Sequence, residues 1–156
     1  MKRVALFLVG IVAFALPALA ADDTKMDKYV ELLRSDVRTA RTQIVTEALD
    51  LKDQQSSAFW PVYRDYEKDL AALADKRVAL IKDYAASYDT MTDKIAKDLV
   101  NRAFKINQDR TALLKKYYAK VEKVLQPKLA ARWVQVENAM NSIMDIQVIA
   151  NLPLIP

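Results

Sequence analysis

The chain has 156 residues, 53% of them hydrophobic and 28% charged, with one glycine, no cysteine and no histidine. That length suits one domain. The missing residues exclude more than the present ones suggest. There is no disulfide, thiol chemistry or Cys-zinc site, no imidazole base or His ligand, and with Gly10 alone no glycine-rich phosphate loop.

The first twenty residues read as an export signal. Lys2 and Arg3 precede an apolar run from Val4 to Leu16, Pro17 breaks it, and Ala18-Leu19-Ala20 offers small residues to a signal peptidase. Thirteen apolar residues are too few to span a bilayer, which takes about twenty. Cleavage after Ala20 leaves Ala21 at the new terminus, so a lipid-anchored cysteine is excluded. The expected location is the periplasm of a Gram-negative bacterium. Without the signal, 22 basic residues stand against 20 acidic ones, a balance that argues against nucleic acid as a partner. No later stretch is apolar enough to span a membrane.

Residues 21–150 read as a single helical domain: glycine is absent, and apolar residues recur at spacings of three and four. The spacing predicts a first helix from about Lys25 to Ala48, with Met26, Val30, Leu33, Val37, Ala40, Ile44 and Ala48 inward. Asp50 is the expected N-cap of a second helix, Leu51 to Tyr88. Phe59, Val62, Tyr63, Tyr66, Leu70, Tyr84 and Tyr88 lie along its stripe. Pro61 predicts either a kink or a helix that starts there. Thr90 or Thr92 caps a third helix, Asp93 to Leu125, whose inner face includes Ile95, Leu99, Ile106, Leu113, Tyr117 and Val121. Pro127 opens a fourth helix with Leu129, Trp133, Val136, Met140 and Ile143 inward, ending near Ala150. Residues 151–156 form an apolar tail that Pro153 and Pro156 keep out of helix. The second and third helices each span roughly 50 Å at 1.5 Å per residue, against about 37 Å for a globule of this size. The fold class is therefore all-α: four helices in an elongated antiparallel arrangement, with dimerisation expected to cover surplus apolar surface.

Leu51-Lys52-Asp53-Gln54-Gln55 has the form Leu-x-x-x-Gln at a helix start, and Met91-Thr92-Asp93 and Leu125-Gln126-Pro127-Lys128 mark two further helix starts. This organisation resembles the Spy/CpxP-like (LTxxQ) family of exported helical proteins. The departures are Lys52 and Gln126 where the family has Thr, and Leu129 where it has the final Gln. The resemblance implies a helical cradle, often dimeric, and a periplasmic chaperone or stress-response role; other members bind metal. In physical terms Leu51 is a plug between helix ends, and Gln55 a side chain that can bond backbone carbonyls of the preceding turn.

Asp65, Glu67 and Asp69 interleave with Arg64 and Lys68, which is the pattern of a salt-bridged face rather than an acid–base pair. Ser56 and Ser57 lack a histidine to activate them. Met140 and Met144 could share a soft metal but read better as core filling. No catalytic residue, cofactor or metal is therefore expected, and the chain is not read as an enzyme. The candidate client-binding residues are Tyr63, Tyr66, Tyr84 and Tyr88, because tyrosine suits a half-wet surface, together with Lys115, Lys116, Lys120 and Lys123. These lysines crowd the end of a helix that carries nine basic residues against four acidic. The expected function is ATP-independent, reversible holding of non-native envelope proteins. The alternative is an adaptor for one dedicated envelope partner.

Overall fold

The amino-acid pattern specifies helix breaks as clearly as helices, and the breaks set the architecture. A computed structural model of the chain describes residues 37–150 and 152–156. The expected signal at 1–20, and Met26, Val30 and Leu33 of the first helix, lie outside the described residues. Four helices follow one another: α1, described over residues 37–49; α2, Asp53–Ser87; α3, Asp93–Val124; and α4, Pro127–Ile149. A short 3-10 turn, Tyr88–Thr90, follows α2. No strand occurs among the described residues, and none of their helices is long and apolar enough to cross a membrane.

The first break falls at residues 50–52. Asp50 does not cap α2; it ends α1. Its backbone is left-handed, with φ 46°, and its N–H still reaches the Thr46 carbonyl at 3.2 Å. Helices commonly stop on such a residue, usually glycine. Beyond Gly10 this chain has no glycine, and Asp is among the few residues that tolerate the conformation. Lys52 is the N-cap of α2, and its N–H donates to Gln55 Oε1 at 3.1 Å. Gln55 thus satisfies a helix-start donor, not the carbonyls of the preceding turn. Leu51 packs against the core, as a plug would.

Pro61 lies inside a continuous α2, so the alternative of a helix beginning there is not realised. Its exposed position, one turn after exposed Ser57, places the lost backbone bond on the solvent side. Thr92, of the two threonines proposed, caps α3 by accepting from the Ile95 N–H at 3.3 Å. Pro127 is the first residue of α4, where its missing N–H costs nothing.

The α2 and α3 helices form a hairpin about 50 Å long. Its register is antiparallel: Tyr66 meets Tyr117, Lys76 meets Asp109, and Asp83 meets Arg102. The α4 helix returns along α3, with Asp145 on Arg110. It therefore runs parallel to α2, where Asp145 also meets Arg77. The core lies where all four helices meet. Phe59, Tyr63, Tyr66, Tyr117, Val121, Trp133 and Met140 are buried there with Val45 and Leu49.

Two inward faces differ from expectation. On α1 the buried residues are Arg41, Val45 and Leu49, while Ile44 is exposed and Ala48 half-buried. The face is turned by one residue because Arg41, unreadable as a core residue from hydropathy, faces inward to meet a carboxylate. On α4, Ile143 is 57% exposed; Glu137 takes the place on the buried stripe that an apolar residue was expected to hold.

The caps make a direct prediction. Asp50→Gly relieves the left-handed backbone and should stabilise the protein by up to ~1 kcal/mol, whereas Thr92→Ala should destabilise it by ~1 kcal/mol. Urea midpoints of the two variants against wild type measure both signs.

Candidate functional site

Glu137 sits one turn after Trp133 and just under one turn before Met140, so helical periodicity carries its carboxylate into the core. It is fully buried. Arg41 of α1 pairs with it, Tyr66 Oη donates at 2.9 Å and Tyr63 Oη at 3.3 Å. Arg41 also donates to Asn141 Oδ1 at 3.1 Å. Around this acid the rings interlock: Tyr66 meets Trp133 edge-on with centroids 5.2 Å apart, and meets Tyr117 at 5.4 Å.

Burial opposes the charge on Arg41, yet the adjacent Glu137 carboxylate holds its pKa above the ordinary arginine value. Burial, and then the charge of Glu137, push both tyrosine hydroxyls far above the usual phenol range, so they serve only as neutral donors. Two buried donors, Arg41 Nε and Trp133 Nε1, have no partner among the described residues. The site thus has surplus donors around one buried acid. Tyr63 and Tyr66, expected on a half-wet client surface, are instead core residues. Their hydroxyls find a buried acceptor where water had been expected. The signal that could have revealed this was the acid on the apolar stripe of α4.

Glu67 and Asp69 of α2 take separate partners on other helices. Glu67 accepts from Thr42 at 3.3 Å, and partial burial raises its pKa against the opposing effect of that bond. Asp69 accepts from Lys116 at 3.1 Å and from Tyr117 at 2.9 Å, which together lower its pKa. Burial and the bond to Asp69 push the Tyr117 hydroxyl up to about 12. No group of three or more metal-ligating acidic side chains forms among the described residues. Met140 is buried and packs in the core.

The four lysines are exposed but not equivalent. Lys116 pairs with Asp69, and Lys116 and Lys120 lie 5.1 and 4.5 Å from the centroid of the Tyr117 ring. The hairpin therefore supplies acidic compensation that the α3 sequence alone does not show. Lys115 and Lys123 have no ion pair among the described residues.

Lys115 borders a groove of about 640 Å³ between α3 and α4. Thr111, Leu114 and Tyr118 line one wall; Val134, Gln135, Asn138 and Ser142 line the other. Arg110 closes one end by gripping Asp145 through two bonds of 2.9 and 2.8 Å, and Arg77 adds a third at 2.5 Å. Two turns before Thr111 on the same face of α3 is Phe104, and two turns past Ser142 on α4 is Ile149; both are exposed. The α3–α4 seam thus carries an uncompensated lysine at the groove and, past the Arg110–Asp145 clamp, an exposed apolar pair.

Tyr84 and Tyr88, the other half of the expected tyrosine stripe, lie one turn apart near the end of α2. They are half-buried, and their hydroxyls donate to backbone carbonyls of the C-terminal tail. The stripe divides into a core pair and a surface pair.

Comparison with the models of known protein families, with curated proteins and with solved structures finds no match.

Two predictions follow from the charges. Arg41→Met leaves the Glu137 carboxylate buried without its partner and should cost ~3–5 kcal/mol. Arg41→Met combined with Glu137→Leu should cost clearly less than the two single changes added; a denaturant-melt double-mutant cycle reads the difference. The bonds from Arg110, joined by Arg77, lower the Asp145 pKa in the folded state, although partial burial opposes them. A depressed carboxylate stabilises the fold above its unfolded pKa, and that stability is lost as pH falls through the folded value. Asp145→Asn should therefore cost ~1 kcal/mol at pH 7, with the gap to wild type closing below about pH 4 in melts across pH.

Proposed function

We propose that the chain is an exported, ATP-independent holding protein of the Spy/CpxP kind, which binds non-native envelope proteins reversibly and acts as a dimer in the periplasm. The observation that carries this reading is the α3–α4 groove. It sets Lys115 beside a row of side-chain amides, and exposed Phe104 and Ile149 lie beyond its Arg110–Asp145 end. Ile143 and Ile146, 57% and 67% exposed, extend the apolar surface of α4. Large apolar residues left in water are what an interaction surface requires.

Its mechanism is encounter followed by shallow capture. Lys115 and Lys123 draw acidic segments in, and the exposed Phe104 and Ile149 beyond the groove take their hydrophobic side chains. The outcome is holding and release. The export pattern of residues 1–20 and the Leu51–Gln55 helix start support the same reading.

The test uses the mature chain against several unrelated unfolding clients at near-stoichiometric ratios, followed by light scattering. Suppressed aggregation of most clients is the expected result. No suppression of any of them, with tight capture of a single envelope protein instead, would replace holding by a dedicated adaptor role. Lys115→Glu with Lys123→Glu should keep the wild-type melting temperature within a few degrees, since both side chains are exposed. It should lose most protection of an acidic client at low salt, with the difference from wild type fading above ~0.15 M salt. Phe104→Ser with Ile149→Ser should lose protection at every salt concentration.

A further inference from the structure

The tail after α4 is Leu152-Pro153-Leu154-Ile155-Pro156, and its two prolines keep it from continuing the helix. It is held on α2 instead. Tyr84 Oη donates to the Pro153 carbonyl at 2.7 Å, and Tyr88 Oη donates to the next carbonyl, that of Leu154, at 3.1 Å. The two rings pack edge to face with centroids 5.7 Å apart, so each restricts the other.

Both acceptors belong to the backbone. Beside the first acceptor, Leu154 adds little, at 89% exposed, whereas Ile155 is 45% exposed and Leu152 half-buried. A contact of this kind does not read side-chain identity. It requires consecutive carbonyls that are not committed to a helix or sheet, a condition that extended, proline-bearing chain meets. It is also weak, because a leucine left in water contributes almost none of its transfer free energy. Only attachment to α4, which raises the local concentration of the tail, keeps it in place.

We infer that Tyr84 and Tyr88 form a binding site for extended, proline-bearing peptide segments, and that residues 152–156 of this chain occupy it in cis. Its role in capturing clients rests on the holding reading above; the site itself does not. A segment of another chain with the same free carbonyls enters by displacing the tail.

The experiment uses the mature chain, the same chain lacking residues 152–156, and the shortened chain carrying Tyr84→Phe and Tyr88→Phe. The probe is a fluorescein-labelled peptide of sequence Leu-Pro-Leu-Ile-Pro, with binding read by anisotropy and folding checked by circular dichroism. The shortened chain should bind the peptide at least ~10-fold more tightly than the mature chain, because the cis competitor is gone. The double Phe variant keeps both rings and should lose ~10-fold in affinity with unchanged helicity. A peptide carrying serine at the position of Leu154 should bind within ~3-fold of the original, because that side chain stays in water. Equal binding by mature and shortened chains, binding indifferent to the hydroxyls, or loss of binding with the serine peptide would each overturn the inference. Tail exchange in a protein that suppresses no aggregation would support this site while removing the holding reading.

Discussion

The carboxylate of Glu137 is buried where the helices converge, and a charge in that position must be answered in full or the core does not form. The answer comes from two other helices: Arg41 on α1, Tyr63 and Tyr66 on α2. The third, α3, enters through Tyr117, whose ring closes on Tyr66. Apolar stripes alone tolerate sliding, since one leucine replaces another at little cost. A buried acid with directional donors does not, so this network sets the rotation of α1 and the depth of α4 together. It also explains why a tyrosine-rich stripe lies in the interior: the hydroxyls are needed there.

From that anchor the outer features follow by register. With Glu137 against Tyr63 and Tyr66, the parallel course of α4 along α2 brings Asp145 to Arg77 and Arg110. This clamp fixes the far end of α4. It lies eight residues before Pro153 in the chain, as Arg77 lies seven before Tyr84, so the tail is delivered to the tyrosine pair. The clamp also closes one end of the α3–α4 groove. Groove and tail site are thus consequences of one placement of α4. A change at Asp145 should be felt in both.

The two proposed binding surfaces suit one another chemically. The α3–α4 seam offers lysine and exposed apolar residues, which favour acidic and hydrophobic side chains. The tyrosine pair offers hydroxyl donors, which favour bare backbone carbonyls. Non-native chains present all three. Each contact is shallow, as the proposed reversible holding requires.

Local features were legible because they rest on local physics. The absence of glycine, the three-and-four apolar spacing and the caps at Thr92 and Pro127 depend on neighbours in the chain, and they specified an all-helical fold and its α2–α3 and α3–α4 breaks. The left-handed Asp50 was not legible, because an aspartate at a helix boundary can end one helix or begin the next, and only the backbone torsion distinguishes them. The faces of α1 and α4 were decided by tertiary structure. Hydropathy ranks Arg41 and Glu137 as surface residues, and each is buried only because the other, 96 positions away, neutralises it. The same holds for Lys116, which α3 shows as unpaired until Asp69 of α2 reaches it, and for Tyr84 and Tyr88, whose acceptors lie more than sixty residues further on. Periodicity along a chain records which residues share a face; only the meeting of distant faces decides which polar groups are paired, and so which of them are free to bind.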